Sequence, residues 1–255
     1  MSFILDYKVI EDKLLKFIKE KIAQKKINKI VVGLSGGIDS TVVAYLCLKA
    51  VGSKNIFGVL LPYKTSSLQH KNDAIEVAGI LGINYDVIDI TNMVDVYTEK
   101  ISDISNTRKG NIMARQRMIV LFDISHRENG IVVGTSNKTE ILLGYGTIYG
   151  DVACGINPIG NLYKTQIWEL GSYLQVPKKI IEKKPTADLW IGQTDEDELG
   201  FSYLEVDKLL YHLIDEKKSE DEILQLGFKK EFIEKVKIRI EKNRFKSQLP
   251  EIASI

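Results

Sequence analysis

The segment from Ser35 to Ser40, with the sequence S-G-G-I-D-S, lies between a run of strand-forming residues and an apolar helix pattern. Glycines allow the backbone to turn tightly and approach a ligand, and the first turn of the following helix presents unpaired N–H groups to an anion. The carboxylate of Asp39 could hold Mg²⁺ against a pyrophosphate. The segment therefore predicts a phosphate-binding loop. A serine-rich turn that only caps a helix is the alternative.

Two common nucleotide motifs are absent from this sequence. The loop lacks the Gly-Lys-Ser/Thr ending of a Walker A motif, so no lysine is placed to reach the terminal phosphates for γ-phosphoryl transfer. The later G-Y-G-T-I-Y-G run, residues 144–150, has the wrong spacing for a dinucleotide fingerprint and does not lie between a strand and a helix. The phosphate chemistry must therefore be of another kind.

The elements around the loop predict an α/β fold. A helix pattern at 5–22 precedes apolar strands at 29–34, 55–63, 84–90 and 130–135, which alternate with helices at 39–51 and 67–82 and a helix pair ending at Asn129. This alternation predicts a doubly wound parallel sheet with helices on both faces, which binds ligands beyond the carboxyl ends of its strands. We expect one domain over 1–255, with a core at about 28–190 and a helical part at about 191–255. A separate helical appendage is the alternative.

The segment N-I-M-A-R-Q-R-M-I-V-L-F-D-I-S-H-R-E-N-G, residues 111–130, has too many apolar residues for one face of a surface helix. It predicts a helix that is buried on all sides. Such a helix could be central to the core or could also contribute to a homodimer interface.

Composition restricts the partners of this chain. Its 255 residues include 35 basic and 34 acidic side chains, a formal net charge of +1 that provides no general attraction for nucleic acid or an anionic membrane. The two cysteines, Cys47 and Cys154, form no C-x-x-C pair, which favours a reducing, cytoplasmic location without structural zinc. No run of 18 apolar residues predicts a membrane span.

The segment G-L-S-G-G-I-D-S resembles the PP-loop of the ATP pyrophosphatases, which cleave ATP between the α- and β-phosphates and adenylate an oxygen of their substrate. Segments 132–151, 157–171 and 183–203 are similar, in order and spacing, to those of ammonia-dependent NAD synthetases. The most specific part is P-T-A-D-L followed by Q-T-D-E-x-E-L-G. The resemblance implies an adenine nucleotide alpha hydrolase-like fold and amidation of deamido-NAD⁺ to NAD⁺ by ammonia, with release of AMP and pyrophosphate.

The resemblance also implies roles for individual residues. Contacts to ATP are implied for Gly33, Leu34, Ser35, Gly36, Gly37, Ile38, Asp39, Ser40, Thr135, Lys164 and Thr186. Contacts to deamido-NAD⁺ are implied for Arg115, Asp151, Phe245 and Lys246, ligation of Mg²⁺ for Asp39 and Glu140, and catalytic roles for Asp151 and Lys164. Without the resemblance, Glu140 would be interpreted as a solvated helix residue. For Asp151, a carboxylate that caps a helix or holds its loop is the alternative role.

The sequence departs from the best-known bacterial branch of that family at three places. Ile148 and Gly155 stand where a lysine and an aspartate contact deamido-NAD⁺, and Phe245-Lys246 replaces a His-Lys pair. These changes affect how the nicotinate end is held. Other amidating or thiolating PP-loop enzymes, and a module that binds ATP or AMP without chemistry, are the alternative functions.

The nitrogen donor is expected to be free ammonia. Glutamine-dependent NAD synthetases carry a nucleophilic cysteine in a long additional N-terminal domain, whereas the segment before the first predicted strand here reads as one helix without cysteine. Cys47 lies on an apolar helix pattern, and Cys154 has no histidine near it in sequence.

Overall fold

Four parallel strands form the central sheet in the computed structural model, which describes residues 3–190, 192–248 and 250–253. The strands are β1 (Lys29–Gly33), β2 (Ile56–Leu60), β3 (Asn84–Val87) and β4 (Gly130–Val133), in the spatial order β3-β2-β1-β4. In the register of β1, Val32 pairs with Gly58 of β2 on one side and Val133 of β4 on the other. The segments that leave the carboxyl ends of β1 and β4 therefore begin side by side.

Helices connect the strands and follow the sheet. Those that the structure describes are α1 (Tyr7–Lys25), α2 (Ile38–Val51), α3 (Leu68–Leu81), α4 (Thr91–Thr98), α5 (Asn106–Arg127), α6 (Lys138–Leu143), α7 (Lys164–Tyr173), α8 (Lys178–Ile181), α9 (Asp195–Leu199), α10 (Tyr203–Leu210), α11 (Glu220–Gln225) and α12 (Lys230–Asn243). Within the described residues, no helix combines the length and the apolar character needed to cross a bilayer.

The two faces of the sheet bury different side chains, as alternation along a strand requires. Ile30 and Val32 of β1 join one core cluster with apolar residues of α1, α2, α3 and α7, whereas Val31 packs with Val120 and Ile124 of α5 on the other face. The predicted α/β fold with helices on both faces of a parallel sheet is confirmed.

Helix α5 differs from the prediction. It buries Met113, Val120 and Ile124, but the side chains of Ile119 and Phe122 are 53% and 41% exposed, so burial on all sides was wrong for a single chain. The outward apolar face follows because the sheet can cover only one side of the helix.

The C-terminal helices surround a second apolar cluster. Tyr203, Val206 and Leu210 of α10 pack there with Ile233 and Val236 of α12. Leu143 and Tyr163, from the sheet-bearing part, belong to the same cluster. The helical part therefore packs directly on the segments that follow β4.

Candidate active site

A cavity of about 470 Å³ opens at the carboxyl ends of the strands. Its walls include most of the residues for which the sequence predicts a role: Gly33, Leu34, Ser35, Gly37, Ile38, Asp39, Ser40, Thr135, Glu140, Asp151, Lys164, Thr186 and Lys246. Three predicted residues do not line it: Gly36, Arg115 and Phe245. Phe245 is 57% exposed, and the Arg115 Nε donates a hydrogen bond of 3.3 Å to the carbonyl of Ile148.

The loop after β1 has the conformation that its glycines permit. Gly36 has a φ of +75°, and a Cβ there would lie 2.2 Å from the carbonyl oxygen of His70, so only glycine fits without a backbone shift. The Lys183 Nζ donates to the Gly36 carbonyl at 2.9 Å. No side chain among the described residues caps the start of α2, which leaves its first N–H groups available to an anion.

Two carboxylates from different crossovers meet beside this loop. Asp39 lies in the first turn of α2 and Glu140 in the first turn of α6, and both face the ammonium of Lys164, the first residue of α7. The Lys164 Nζ lies 2.5 Å from Asp39 Oδ2 and 3.7 Å from Glu140 Oε1. Lys164 is only 2% exposed, whereas the side chains of Asp39 and Glu140 are each 17% exposed and line the cavity.

The electrostatics of the cluster follow from its burial. Desolvation and the neighbouring charge of Asp39 raise the pKa of Glu140, although the Lys164 ammonium opposes them. Burial alone would lower the pKa of Lys164, but the carboxylates of Asp39, Glu140 and Asp195 outweigh it and raise that pKa. The Lys164 ammonium, which faces both carboxylates, offsets part of their mutual repulsion.

Asp151 lies on another wall of the same cavity. Its Oδ1 accepts a hydrogen bond of 2.9 Å from the N–H of Thr147. Desolvation by the surrounding protein atoms raises the pKa of this carboxyl, whereas the bond from Thr147 and the charge of Arg117 act in the opposite direction. A carboxylate in this place can attract a cation and accept a proton from it.

Sequence reasoning missed several residues of this site. Arg117 lines the cavity, and its Nε donates a hydrogen bond of 3.0 Å to the carbonyl of Leu61. Arg239 and Asp195, from the C-terminal part of the chain, line the same cavity. Asn137, fully buried at the start of α6, bonds to Asp39. The sequence contains a pattern that could have identified Asn137: asparagine followed three residues later by glutamate is typical of a helix capping box.

Asp207 of α10 ties the helices of the site together from behind. It is fully buried, accepts hydrogen bonds from the Thr139 hydroxyl at 2.5 Å and the Thr165 N–H at 2.8 Å, and thereby joins α6 and α7. Burial raises the pKa of Asp207 from 3.8 to about 6, against the opposing effect of these hydrogen bonds. Asp207 therefore links the elements that carry Glu140 and Lys164.

The protonation of Asp207 predicts a pH-dependent stability. Between pH 3.8 and about 6 the folded chain keeps a proton on this group that the unfolded chain has lost, so the group's contribution to the free energy of unfolding falls as the pH rises. The fall should total about 3 kcal/mol, at 1.36 kcal/mol for each pKa unit. Asp207→Asn should lack this component, which urea unfolding of both proteins at several pH values in this window would detect. A difference between the two proteins that does not change with pH would contradict the assignment.

The sequence of this chain is similar to those of known proteins. The sequence model of the NAD synthase family matches residues 10–250. The NH(3)-dependent NAD(+) synthetase of Trichlorobacter lovleyi is 48% identical over 251 residues, which cover 98% of this chain and 92% of that protein.

Two solved structures share the whole fold. The NMN synthetase from Francisella tularensis has a TM-score of 0.88 at 34% identity, over 99% of this chain and 100% of that one. The NH3-dependent NAD synthetase from Campylobacter jejuni, in complex with the nitrate ion, has a TM-score of 0.84 at 38% identity, over 98% and 100% of the two chains. With a phosphate loop, paired carboxylates and a cavity at the sheet edge, this chain belongs to the NAD synthase family.

Proposed function

We propose that this chain catalyses the ATP-dependent amidation of deamido-NAD⁺ to NAD⁺, with free ammonia as the nitrogen donor. The observation that carries the proposal is the convergence of a phosphate loop, the Asp39–Lys164–Glu140 cluster and Asp151 on one cavity, in a chain of the NAD synthase family. Binding of ATP or AMP as a signal would not require the two carboxylates or Asp151. We therefore place chemistry, and not binding alone, at this site.

The first step adenylates the nicotinate carboxylate. A carboxylate oxygen attacks the α-phosphorus of ATP, and the bond to the β-phosphate breaks to release pyrophosphate. The N–H groups of the first turn of α2 hold the phosphates, the Lys164 ammonium provides a positive charge, and Thr135 and Thr186 contact the nucleotide. Fixed donors of this kind stabilise the charge that develops on the leaving group.

The donor set of the cluster fits Mg²⁺. This ion is usually held in proteins by one or two carboxylates together with substrate phosphates, and Asp39 and Glu140 present oxygens to a common point now faced by Lys164. When bound there with ATP, Mg²⁺ would neutralise charge on the departing pyrophosphate. Among the described residues, no three or more His, Cys, Asp or Glu side chains form a group that could hold a metal. We expect the phosphates of ATP to supply further ligands.

The second step forms the amide. Ammonia attacks the acyl carbon of the adenylate, and AMP leaves with the electrons of the carbon–oxygen bond. Only the uncharged form of ammonia can attack, so we assign Asp151 to collect ammonium and accept its proton. Deamido-NAD⁺ is held in part by Lys246, whose Nζ also donates to the carbonyls of Gly144 at 2.8 Å and Gly146 at 3.1 Å. We retain contacts to this substrate for Arg115 and Phe245, which lie outside the cavity lining, as predictions.

We propose that the chain works as one catalytic domain, because its core and its helical C-terminal part both supply cavity residues, such as Asp39 and Arg239. A homodimer is proposed from the apolar side chains that α4 and α5 expose: Met93, Val96, Tyr97, Ile119 and Phe122. The cytoplasmic location expected from the cysteine content stays a prediction.

The function is tested by product formation. Purified chain with ATP, Mg²⁺, ammonium and deamido-NAD⁺ should give NAD⁺, AMP and pyrophosphate in equal amounts, and almost no NAD⁺ when glutamine replaces ammonium. Nicotinate mononucleotide, which carries the same carboxylate on a shorter substrate, serves as the competing acid. Faster turnover of the mononucleotide, or robust glutamine-driven synthesis that is lost on mutation of Cys47 or Cys154, would overturn the proposal.

Asp151→Asn separates the two steps. The variant should lose amide formation to a greater extent than adenylate formation, because asparagine cannot accept the proton of ammonium. A loss of about 100-fold or more is expected in NAD⁺ synthesis, within the range that a positioned proton acceptor contributes. ATP–pyrophosphate exchange with deamido-NAD⁺ should decrease much less. Equal losses in both assays would assign Asp151 to the first step or to holding its loop.

A further inference from the structure

Asn137 contacts both carboxylates of the cluster at once. Its Nδ2 donates to Asp39 Oδ1 at 2.9 Å, and its backbone N–H donates to Glu140 Oε2 at 3.2 Å. Its own Oδ1 accepts from the Glu140 N–H at 3.0 Å, which completes a capping box at the start of α6. The side chain is fully buried, so these bonds fix its orientation.

The contacts divide the oxygens of each carboxylate into two sets. Asn137 holds Oδ1 of Asp39 and Oε2 of Glu140, and the other oxygens, Oδ2 and Oε1, face the ammonium of Lys164. The two carboxylates lie on different crossovers, 101 positions apart in the chain. Asn137, which follows β4, bridges them because β4 is hydrogen-bonded to β1, the strand before Asp39.

We propose that Asn137 is the positioning residue that turns one oxygen of Asp39 and one of Glu140 toward a common cation position. The inference rests on the proposed function in one respect, namely that this position receives Mg²⁺ with ATP. A carboxylate whose second oxygen is tied to a fixed donor loses less rotational freedom when it binds a cation, and such outer partners strongly influence metal affinity.

Helix capping alone is the competing explanation, and substitutions can distinguish it. Serine and aspartate cap a helix about as well as asparagine. Neither can donate from the position of Nδ2 to Asp39: the serine hydroxyl is too short, and the aspartate carboxylate has no proton to give. A capping role therefore predicts that the serine variant resembles the parent, whereas the positioning role predicts that it is defective. The aspartate variant loses the donor and also places a third carboxylate beside Asp39.

The primary test is Asn137→Ser, with Mn²⁺ as the probe in the presence of α,β-methylene-ATP. Electron paramagnetic resonance of free Mn²⁺ should show affinity about 10- to 100-fold weaker than in the parent, the range typical for loss of an outer-shell partner. Asn55→Ser is the matched control, since the Asn55 Nδ2 makes one bond of 2.8 Å, to the carbonyl of Val51, at the amino end of β2. The control should keep the parent affinity.

Turnover provides a second readout. Asn137→Ser and Asn137→Asp should both lower kcat for ATP–pyrophosphate exchange while KM for deamido-NAD⁺ stays close to the parent value. Thermal unfolding shows whether each variant is folded. If the serine variant is not folded, Asn137→Asp, which preserves the side-chain volume, provides the rate measurement.

The outcomes separate this inference from the proposed function. Parent-like Mn²⁺ affinity and kcat in the folded variants would overturn the role of Asn137 even if the parent makes NAD⁺. Failure of the parent to bind Mn²⁺ with the ATP analogue would overturn it as well. A parent that binds Mn²⁺ but forms no NAD⁺ would refute the proposed function alone, and the affinity comparison would still decide the role of Asn137.

Discussion

Asp39→Asn is expected to abolish most of the metal-dependent adenylation, with ATP–pyrophosphate exchange lowered by at least about 100-fold. The substitution preserves the size of the side chain but removes the negative charge opposite Lys164, whose Nζ lies 2.5 Å from Asp39 Oδ2. Stabilisation of transition-state charge by a bound metal is worth several kcal/mol, and 1.36 kcal/mol corresponds to a tenfold change in rate.

The measurement is pyrophosphate exchange across a range of Mg²⁺ concentrations. Asp103→Asn, at an exposed position before α5, makes the same chemical change and should behave like the parent. The fold should persist in Asp39→Asn because the side chain keeps its size and Glu140 remains 3.7 Å from the Lys164 ammonium. Normal exchange at saturating Mg²⁺ would show that Asp39 does not hold the metal.

Lys164→Met is expected to lower the free energy of unfolding by about 3–5 kcal/mol in the absence of ligands, the cost of leaving buried charges without their partner. Adenylation should be lost as well. Lys164 faces Asp39 and Glu140 with only 3% of its own side chain exposed, so its removal leaves both carboxylates without their nearest cation.

Lys237→Met supplies a matched control. The Lys237 Nζ lies 2.6 Å from Glu220 Oε2, close to the separation in the Lys164–Asp39 pair, but the side chains of Lys237 and Glu220 are 39% and 35% exposed. Its loss should cost no more than about 1 kcal/mol, as for other solvent-exposed pairs. Similar losses in the two variants, measured by urea unfolding at pH 7.5, would contradict the role given to burial.

The stability of Lys164→Met should depend on pH through the protonation of Glu140. The pKa of Glu140 is raised in the folded chain above its ordinary value of 4.5, and removal of the ammonium would raise it further. The folded state then binds more protons than the unfolded state, so the stability of the variant should fall as the pH rises above about 4.5. In the parent this group already titrates at about 8, so the difference in stability between the two proteins should grow as the pH rises through about 8.

Much of this protein could be predicted from local patterns. The alternation of apolar runs with helical spacing predicted the parallel sheet, because each pattern reflects which faces of a strand or helix are buried. The S-G-G-I-D-S loop after β1 is also a local feature. Its backbone has a positive φ at residue 36, which favours glycine there, and Asp39 lies in the helix turn that immediately follows. The resemblance to NAD synthetases depends on such contiguous segments.

Other features depend on residues far apart in the chain and were decided only by the tertiary structure. Adjacent pairing of β1 with β4 brings Asn137 to Asp39, and packing of α10 brings Asp207 to Thr139 and Thr165. Packing of Val120 and Ile124 of α5 on the sheet leaves Ile119 exposed, where the apolar pattern had predicted burial. A sequence pattern specifies which side of an element is apolar, but which element covers that side, and which polar groups meet there, follows from strand order and helix packing over the whole chain.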